Sequence, residues 1–388
     1  MRSSRYLIVG GGLTGDAACK GIREHDSDGS IVLVGAEPHP PYARPPLTKG
    51  LWSGDAEETI WRGTEELGVD LVLGRRIVSL DLEARTARDD QGEEYGYEKL
   101  LLATGGTPRT LPGDGDVIYF RTLDDFRRLH ALAETEGRRV LVIGGGFIGS
   151  ELAASLTANG CQVTMLFPGD GIGARIFPAE LSAFVTEYYR GKGVEVLAGE
   201  TVSGIDGTRV RTESGKELEA DAIVAGLGIV PNDELAAAAG LPVEDGIGVD
   251  DRGRVGGRDD VFAAGDVARF PASGLGTELR VEHEDHAKSH GRAVGANMAG
   301  ADTPYDHLPF FYSDLFELGY EAVGETDPRL TVAAEWAEPN RKGVVAYLDE
   351  ERRPRGFLLW DVWGKVDEAT ALIRASEPLE AAALRALL

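Results

Sequence analysis

The sequence predicts an α/β fold built from two copies of one strand, turn and helix unit, followed by a third segment of mixed strands and helices. In each copy an apolar, strand-like run enters a glycine-rich turn. Tyr6 to Val9 leads into Gly10 to Gly15, and Val140 to Ile143 leads into Gly144 to Gly149. An Ala-rich helical pattern follows both turns, and in the first copy it predicts a helix from Asp16 to Glu24. Self-similarity of this kind indicates a duplicated domain.

The likeness between the copies continues downstream. The run 68–72 is echoed by 193–197, and the copies end in the similar stretches 101–105 and 223–228. Both turns match GxGxxG, in which the first glycine makes the tight turn, the second lets a pyrophosphate approach the backbone and the third lets the helix pack on the strand. The helix N-terminus adds partial positive charge. The sequence therefore predicts two Rossmann-like dinucleotide-binding domains.

The first copy carries the carboxylate that a ribose-binding site needs. A second strand pattern, 30–34, leads to Glu37, which lies 22 residues beyond Gly15. A carboxylate at this place accepts hydrogen bonds from the ribose hydroxyls. The alternative is a structural turn with a solvated Glu37.

The second copy lacks a carboxylate directly after its second strand, 162–167. The loop continues Pro168-Gly169-Asp170, so Asp170 is the candidate for the ribose, and no arginine that could take a 2'-phosphate precedes Arg175. This pattern favours NADH and leaves NADPH open.

The composition excludes two classes of binding partner, nucleic acids and anionic membrane surfaces. With 65 acidic against 40 basic residues, the chain has a formal charge of -25, which repels nucleic acids and anionic lipid headgroups. No apolar run reaches the roughly 18 residues that a membrane span needs. The first residues leave no room for a signal peptide. We expect a cytoplasmic protein that neither binds nucleic acid nor spans a membrane.

Cysteines and histidines suggest no metal or thiol chemistry. Cys19 and Cys161 are far apart and form no CxxC pair, so we expect both to be buried core residues. His283 and His286 lie among acidic residues, but no further His or Cys cluster accompanies them. We therefore predict no metal site, and we expect this stretch either to lie at the dinucleotide pocket or to form a charged helix start.

Several stretches together resemble a known family. They are the loop 41–49, the two glycine turns, Ala103-Thr104-Gly105, the run 261–267, and the segments 280–287, 295–300 and 311–315. In this order they are similar to the FAD- and NAD(P)H-dependent ferredoxin and rubredoxin reductases, and within these to bacterial oxidoreductases resembling apoptosis-inducing factor. The resemblance covers essentially the whole chain.

The resemblance implies a glutathione-reductase-like architecture of three domains. Residues 1–113 and 241–306 would form a discontinuous FAD-binding domain, 114–240 an NAD(P)H-binding domain, and 307–388 a C-terminal α+β domain. Around FAD the family uses Gly10, Gly12, Gly15, Glu37, Arg44, Lys49 and Asp266, and on the nicotinamide side Gly146, Phe147, Gly149 and Glu151. We complete the predicted cofactor-binding set with Leu13, Thr14, Ala103, Thr104, Gly105, Gly144, Ile148, Asp170, Gly228, Gly265, Glu282, His283 and Tyr312.

Lys49 and Glu151 are the predicted catalytic residues. The resemblance places them together beside the flavin ring. Lys49 ends a proline-stiffened loop and Glu151 begins the helix after Gly149. A partly buried pair would hold Lys49 charged and stabilise the negative charge that appears on flavin reduction. The alternative is two unrelated surface residues.

Three other candidates also have ordinary structural alternatives. The run 261–264 predicts a strand that leads into a helix, and we expect the carboxylate of Asp266, after Gly265, to bind a polyol chain, with an N-cap as the alternative. We expect Arg44, between prolines, to contact pyrophosphate or flavin, with a structural ion pair as the alternative. Tyr312 stands where the family often has Trp, and we expect it to face the flavin or a docking partner, whereas most aromatic residues of the C-terminal segment are expected in the core. There, 344–348 and 355–360 predict a hairpin.

The expected function is that of a flavoprotein reductase of the ferredoxin-NAD(P)+ reductase type. NADH would reduce FAD, and electrons would pass to a small iron-sulfur protein such as ferredoxin or rubredoxin. The alternatives are an NADH oxidase or quinone reductase like apoptosis-inducing factor, and a redox-sensing flavoprotein, each with a stable charge-transfer complex. The sequence leaves a homodimer open.

Overall fold

The computed structural model describes residues 2–388. Its strands are β1 (Arg2–Val9), β2 (Ile31–Gly35), β3 (Val69–Leu73), β4 (Ile77–Asp81), β5 (Thr86–Asp89), β6 (Glu94–Leu102), β7 (Gly106–Pro108), β8 (Gly113–Gly115), β9 (Val117–Tyr119), β10 (Arg139–Ile143), β11 (Gln162–Phe167), β12 (Glu195–Ala198), β13 (Val202–Gly207), β14 (Arg209–Thr212), β15 (Glu217–Glu219), β16 (Ala222–Ala225), β17 (Ile229–Pro231), β18 (Ile247–Gly248), β19 (Val261–Ala263), β20 (Ala268–Ala272), β21 (Thr277–Arg280), β22 (Phe310–Leu315), β23 (Leu318–Gly324), β24 (Thr331–Glu338), β25 (Lys342–Leu348) and β26 (Pro354–Trp360). Its α-helices are α1 (Leu13–His25), α2 (Leu123–Ala133), α3 (Phe147–Ala158), α4 (Ala179–Gly191), α5 (Glu234–Ala238), α6 (Glu284–Met298), α7 (Val366–Ala375) and α8 (Ala381–Ala386).

The chain divides into two compact units. The first contains the residues up to Ala43, Glu57–Thr107 and Val230–Pro309. The second contains Arg44–Ala56, Pro108–Ile229 and Phe310–Leu388. The three-domain division drawn from the family resemblance stays a prediction.

The first unit is built on a sheet that combines parallel and antiparallel strands. Strands β3, β2, β1 and β6 run parallel, β19 pairs with β6 in the same direction, and β5 and β4 extend the sheet antiparallel from β6. The strand faces are almost wholly apolar, and Leu7, Leu33 and Leu101 are fully buried between the sheet and its covering elements. Such continuous apolar runs are typical of parallel strands that are covered on both faces.

The second unit repeats the same topology. Its parallel sheet has the order β12, β11, β10, β16, β9. Strands β10, β11 and β12 correspond to β1, β2 and β3, and β16 occupies the place that β6 has beside β1. The predicted duplication and the α/β fold are therefore confirmed.

The C-terminal part of the second unit is an antiparallel sheet with the order β22, β23, β26, β25, β24, followed by α7 and α8. The predicted hairpin is present, because β25 pairs with β26 from Gly343 opposite Trp360 to Leu348 opposite Pro354. Its core is aromatic: the buried rings of Tyr320 and Trp360 are stacked, and the ring of Phe177 meets both edge-on.

Two local expectations need correction. The first helix begins at Leu13, directly after Gly12, and not at Asp16, because the glycine itself is the N-cap. The residues after β19 were expected to enter a helix. Gly265–Val267 instead make a single 3-10 turn, and the chain continues at once into strand β20. Within residues 2–388, no helix combines the length and apolar character that a membrane-spanning segment requires.

Candidate cofactor and active site

The two glycine-rich turns have the same backbone geometry. Gly10 and Gly144 adopt φ of +132° and +125°, a region that side chains rarely enter. A Cβ on Gly15 would lie 2.2 Å from the Gly10 carbonyl oxygen, and a Cβ on Gly149 would lie 2.0 Å from that of Gly144. Each turn is therefore closed so tightly that only glycine fits at both places.

Both helices that follow these turns present an uncapped N-terminus to open space. Gly12 and Gly146 are the N-caps of α1 and α3, and neither helix start has a side-chain capping hydrogen bond. A Cβ built on either glycine would meet no atom within 4 Å. A positive helix end without a side-chain cap, and room for an anion beside it, fit the pyrophosphate of a dinucleotide. Leu13 and Thr14, which follow Gly12, are buried, whereas Ile148 of the second copy is exposed.

Three predicted segments of the first unit end at one edge of its sheet. The paired residues Val9, Leu102 and Ala263 lie side by side, so Gly10, Ala103 to Gly105 and Gly265 all emerge at the carboxyl ends of parallel strands. Ligands of open α/β sheets bind at this edge. Thr104 is fixed there by two hydrogen bonds with Asn232, one from its hydroxyl and one to its carbonyl. A Cβ on Gly265 would lie 2.1 Å from Thr14 Oγ1, so this turn also touches α1.

Glu37 lies just beyond β2 at the same edge. Its carboxylate accepts a hydrogen bond of 2.6 Å from the hydroxyl of Tyr42. Its carbonyl accepts one from the amide of Gly74. The carboxylate is thus held in place where the ribose-binding acid of this fold stands.

Arg280 links two other candidates of the first unit, and a third, His283, follows Glu282 in the chain. Its guanidinium donates to the Asp266 carbonyl at 3.2 Å and to the Glu282 carboxylate at 2.7 Å. His283 is the N-cap residue of α6, and burial lowers its pKa to about 4. Asp266 and Glu282 are therefore brought together. In residues 2–388 no group of three or more His, Cys, Asp or Glu side chains is placed to hold a metal ion.

The second unit has its own group at the corresponding edge. Gly144, the loop after Phe167 and the stretch 226–228 follow the aligned ends of β10, β11 and β16. Asp170 is exposed in the loop after β11. Gly228 accepts a backbone hydrogen bond from Arg109. Phe147 packs edge-on against Phe311, with 5.2 Å between ring centroids.

Lys49 and Glu151 form a direct ion pair within the second unit. The ammonium nitrogen contacts Glu151 Oε1, and the two side chains are 18% and 7% exposed. Lys49 also lies 3.7 Å from the half-exposed carboxylate of Asp314 and 5.4 Å from the ring centre of Tyr312. The structure therefore brings Lys49, Glu151 and Tyr312 together, and the alternative of two unrelated surface residues is wrong.

Two further donors hold the Glu151 carboxylate. The Thr48 hydroxyl donates to Oε2 at 2.6 Å, and the Ser313 hydroxyl donates to Oε1 at 2.5 Å. Burial, and after it the negative charge of Glu151, hold the pKa of Tyr189 and of Tyr320 well above the ordinary value. The site thus contains a buried carboxylate that is satisfied at both oxygens.

Arg44 belongs to the second unit, where its guanidinium donates to the Arg121 carbonyl at 2.5 Å. The acceptor of this contact is a backbone oxygen. It orients the side chain on the loop that leads to Lys49. A cofactor contact of Arg44 stays a prediction.

Both cysteines are buried and free. Cys19 is 0% and Cys161 is 7% exposed. Burial raises the pKa of both thiols above the ordinary value. Because the thiolate is the reactive form, neither side chain is suited to redox exchange.

Sequence reasoning missed Thr48, Ser313 and Asp314 as residues of the site, although all three lie in stretches that match the family pattern. It also missed His290, whose Nδ1 accepts a hydrogen bond from the Gly265 amide at 3.3 Å. The sequence signal that could have found the first three was their position in the chain: Thr48 directly precedes Lys49, and Ser313 and Asp314 follow Tyr312.

The chain is similar to known proteins over most of its length. A family model described as pyridine nucleotide-disulphide oxidoreductase matches residues 4–291. The chain belongs to this family. A second model, for the C-terminal part of mitochondrion-associated apoptosis-inducing factor, matches residues 294–342.

Individual members of known families match most of the chain. Apoptosis-inducing factor 1, mitochondrial, from Dictyostelium discoideum is 32% identical over 97% of this chain and 79% of its own length. The ferredoxin-NAD(+) reductase component of an anthranilate 1,2-dioxygenase system from Burkholderia cepacia is 36% identical over 84% of this chain and 82% of its own. Putidaredoxin reductase, in its covalent complex with putidaredoxin, superposes with a TM-score of 0.92 at 28% identity over 99% of this chain and 96% of its own.

The expected chemistry is thereby confirmed: the chain is an FAD-dependent NAD(P)H oxidoreductase. It departs from the disulphide chemistry in the family name, because its only two cysteines are buried and unpaired.

Proposed function

We propose that this oxidoreductase passes electrons from NADH through FAD to a small iron-sulfur protein of the ferredoxin type. The observation that carries the proposal is the lack of an accessible thiol, since both cysteines are buried as high-pKa thiols. FAD, when bound, accepts a hydride from the nicotinamide and can release its electrons one at a time. Without a dithiol in the chain, the electrons go directly to an external acceptor.

The similar proteins support this acceptor class. The Burkholderia relative is named as a ferredoxin reductase component, and the structural neighbour is a reductase bound covalently to putidaredoxin. Both match most of this chain. We therefore assign a protein acceptor with an iron-sulfur centre.

We assign FAD to the first glycine turn and NADH to the second, because only the first copy carries a fixed carboxylate after its second strand. In this assignment the α1 N-terminus at Gly12 holds the FAD pyrophosphate and Glu37 holds the ribose hydroxyls. Ala103 to Gly105, Gly265 and Asp266 complete the FAD edge. The α3 N-terminus at Gly146 takes the NADH pyrophosphate, and Asp170 takes its ribose.

Lys49 is assigned the electrostatic role. Its ammonium is paired with Glu151 at a largely buried position, where a positive charge interacts with neighbouring charges more strongly than in water. It stabilises the negative charge that appears on the flavin on reduction. Glu151 keeps Lys49 charged and oriented, and Tyr312 covers the ammonium from the outer side.

The acceptor is tested by rapid mixing. The holoenzyme is reduced anaerobically with one equivalent of NADH and mixed with a [2Fe-2S] ferredoxin, a rubredoxin or a soluble quinone. We expect reoxidation to be fastest with the ferredoxin and to be saturable in its concentration. Fastest reoxidation with the quinone contradicts the proposal. The same instrument compares NADH with NADPH, and we expect the faster reduction with NADH.

The role of Lys49 is tested by Lys49→Ala. We expect flavin reduction by NADH to slow by about tenfold or more, with FAD still bound and a lower flavin potential, because a charge that favours the reduced state is removed. Lys192→Ala is the matched control: Lys192 is also paired with a carboxylate in the second unit, Glu317, but at the protein surface. Equal reduction rates for Lys49→Ala and wild type would refute the role.

The C-terminal match to apoptosis-inducing factor favours one second candidate, an NADH-dependent quinone reductase with slow turnover. In that case the reduced enzyme reoxidises slowly with every iron-sulfur protein offered. The acceptor experiment therefore distinguishes the two.

A further inference from the structure

We propose that Ser313 is a positioning residue for the Lys49–Glu151 pair, so that a hydroxyl on the C-terminal sheet contributes to the strength of the lysine's effect. This inference rests on the proposed function in one respect, namely that Lys49 acts on the flavin. It adds that the effect of Lys49 depends on a hydrogen bond from a strand more than 150 residues away in sequence.

The Glu151 carboxylate is held from three directions. Ser313 and Lys49 share Oε1, and Thr48 alone occupies Oε2. Ser313 is fully buried and Thr48 is 3% exposed, so water does not replace either hydroxyl. With both oxygens occupied, the carboxylate cannot rotate without losing a charge-assisted hydrogen bond.

Strand β22 supplies three consecutive groups to this cluster. Tyr312 and Asp314 point to the exposed side and Ser313 points inward, in accordance with the two-residue period of a strand. All three lie at the Lys49–Glu151 pair: Ser313 bonds to the carboxylate, Asp314 lies 3.7 Å from the ammonium and the Tyr312 ring covers it. The strand therefore contributes to the inner and to the outer side of the lysine.

Asp314 is the competing partner of Lys49. Its side chain is 53% exposed, whereas Glu151 is 7% exposed. A salt bridge to an exposed carboxylate needs little desolvation, so the ammonium moves outward easily when Glu151 is not fixed. The hydroxyl of Ser313 keeps Oε1 facing the ammonium and thereby favours the inner position.

The strand is rigid enough for this task. Phe311 is packed edge-on against Phe147 at the start of α3, the helix that carries Glu151. At the other end, Phe316 contacts the buried ring of Tyr189 on α4, with 5.0 Å between centroids. Ser313 also lies opposite Tyr320 in the sheet. Residues that are locked by packing on both sides can position a neighbouring group precisely enough to affect chemistry.

The test is Ser313→Ala in the holoenzyme, which deletes one oxygen and no carbon. We expect the flavin midpoint potential to move downward, in the same direction as in Lys49→Ala but by less. We expect the hydride-transfer rate to fall by about tenfold, as for the loss of a hydrogen bond to a charged group, with an unchanged KM for NADH. Ser182→Ala is the matched control, because Ser182 is a buried serine of the same unit whose hydroxyl bonds to the Ile172 carbonyl. It should keep the wild-type potential and rate.

A double variant separates positioning from an independent effect. If Ser313 acts only through Lys49, Ser313→Ala adds no further change in the Lys49→Ala background. Thr48→Val should resemble Ser313→Ala, and Thr48→Ser, which keeps the hydroxyl, should retain the wild-type potential. These variants also test the inference if Ser313→Ala folds poorly.

The outcomes distinguish the inference from the function on which it rests. A wild-type potential and rate in Ser313→Ala, with both lowered in Lys49→Ala, overturns the role of Ser313 and leaves the role of Lys49 intact. Additive effects in the double variant likewise overturn it. No effect in Lys49→Ala itself overturns the role of the lysine, and the role of Ser313 falls with it.

Discussion

His286 should make the protein less stable in acid, because it is buried without a charge. Its side chain and that of His290 are each 1% exposed, with 4.8 Å between ring centroids. Phe270 stacks on His286 at 4.7 Å, and Tyr305 Oη lies 3.2 Å from its Nδ1. In the described part of the chain, Nε2 of neither histidine has a hydrogen-bond partner. Burial first, and then the nearby His283 and His307, lower the pKa of His286 to about 3.

The sign and size of the effect follow from proton linkage. Below about pH 6.5 the unfolded chain protonates this histidine, while the folded protein keeps it neutral, so stability falls as the pH falls from about 6.5 towards 3. Between about pH 6.5 and pH 5.0 the free energy of unfolding falls by about 1.4 kcal/mol per pH unit. Over about 1.5 pH units, His286 alone therefore lowers the free energy of unfolding by about 2 kcal/mol.

His286→Phe removes this titration and keeps a ring stacked on Phe270. The Tyr305 hydroxyl retains its bond with Ser289, at 2.8 Å. Urea unfolding followed by circular dichroism at pH 7.5, 6.5 and 5.0, with FAD in excess, gives the loss of unfolding free energy between pH 7.5 and 5.0. We expect this loss to be about 2 kcal/mol smaller in the variant than in wild type.

His130→Phe is the control, since the His130 side chain is 42% exposed and solvent reaches it in the folded protein. It should lose as much stability between pH 7.5 and 5.0 as wild type. The same loss in His286→Phe and wild type would mean that folded His286 takes up a proton at pH 5, and the reasoning from burial would be refuted.

Three further predictions concern the cofactor site. Glu37→Ala should release FAD at least about tenfold more readily, because a fixed hydrogen-bond acceptor is lost, and the flavin-to-protein absorbance ratio after gel filtration measures this; an unchanged ratio contradicts the assignment of FAD to the first turn. Gly10→Ala should abolish FAD binding, since its Cβ would lie 2.0 Å from the Ala103 carbonyl oxygen at a φ of +132°, and wild-type FAD content in a soluble variant would argue against that close approach. The double variant Cys19→Ala, Cys161→Ala should keep its NADH-dependent dye reduction, and loss of turnover with FAD still bound would point to a thiol step.

The parts of the fold that depend on local patterns could be predicted from the sequence. The glycine spacing and the apolar strand before it determine each nucleotide-binding turn within about 15 residues, so β1, α1, β10 and α3 were predictable. The single turn at Gly265 was not, because the chain continues into β20, whose parallel pairing with β18, Ile247 opposite Ala268, is not a local pattern.

The site was predictable to a different degree at each residue. Lys49 and Glu151 could be paired only through the family resemblance, since 102 residues separate them. The roles of Thr48 and Ser313 could not be predicted, because a short hydroxyl has many possible acceptors and tertiary packing selects one. The partner of Ser313 lies 162 residues away, on another element of the second unit.

The segment Arg44–Ala56 belongs to the first repeat in sequence but to the second unit in structure. Its Trp52 is buried against Phe126 and His130, and Ser155 donates to the Thr48 carbonyl. The two repeats are therefore not independent folding units. A chain divided between the repeats would leave the second repeat without the segment that contributes Trp52 to its core.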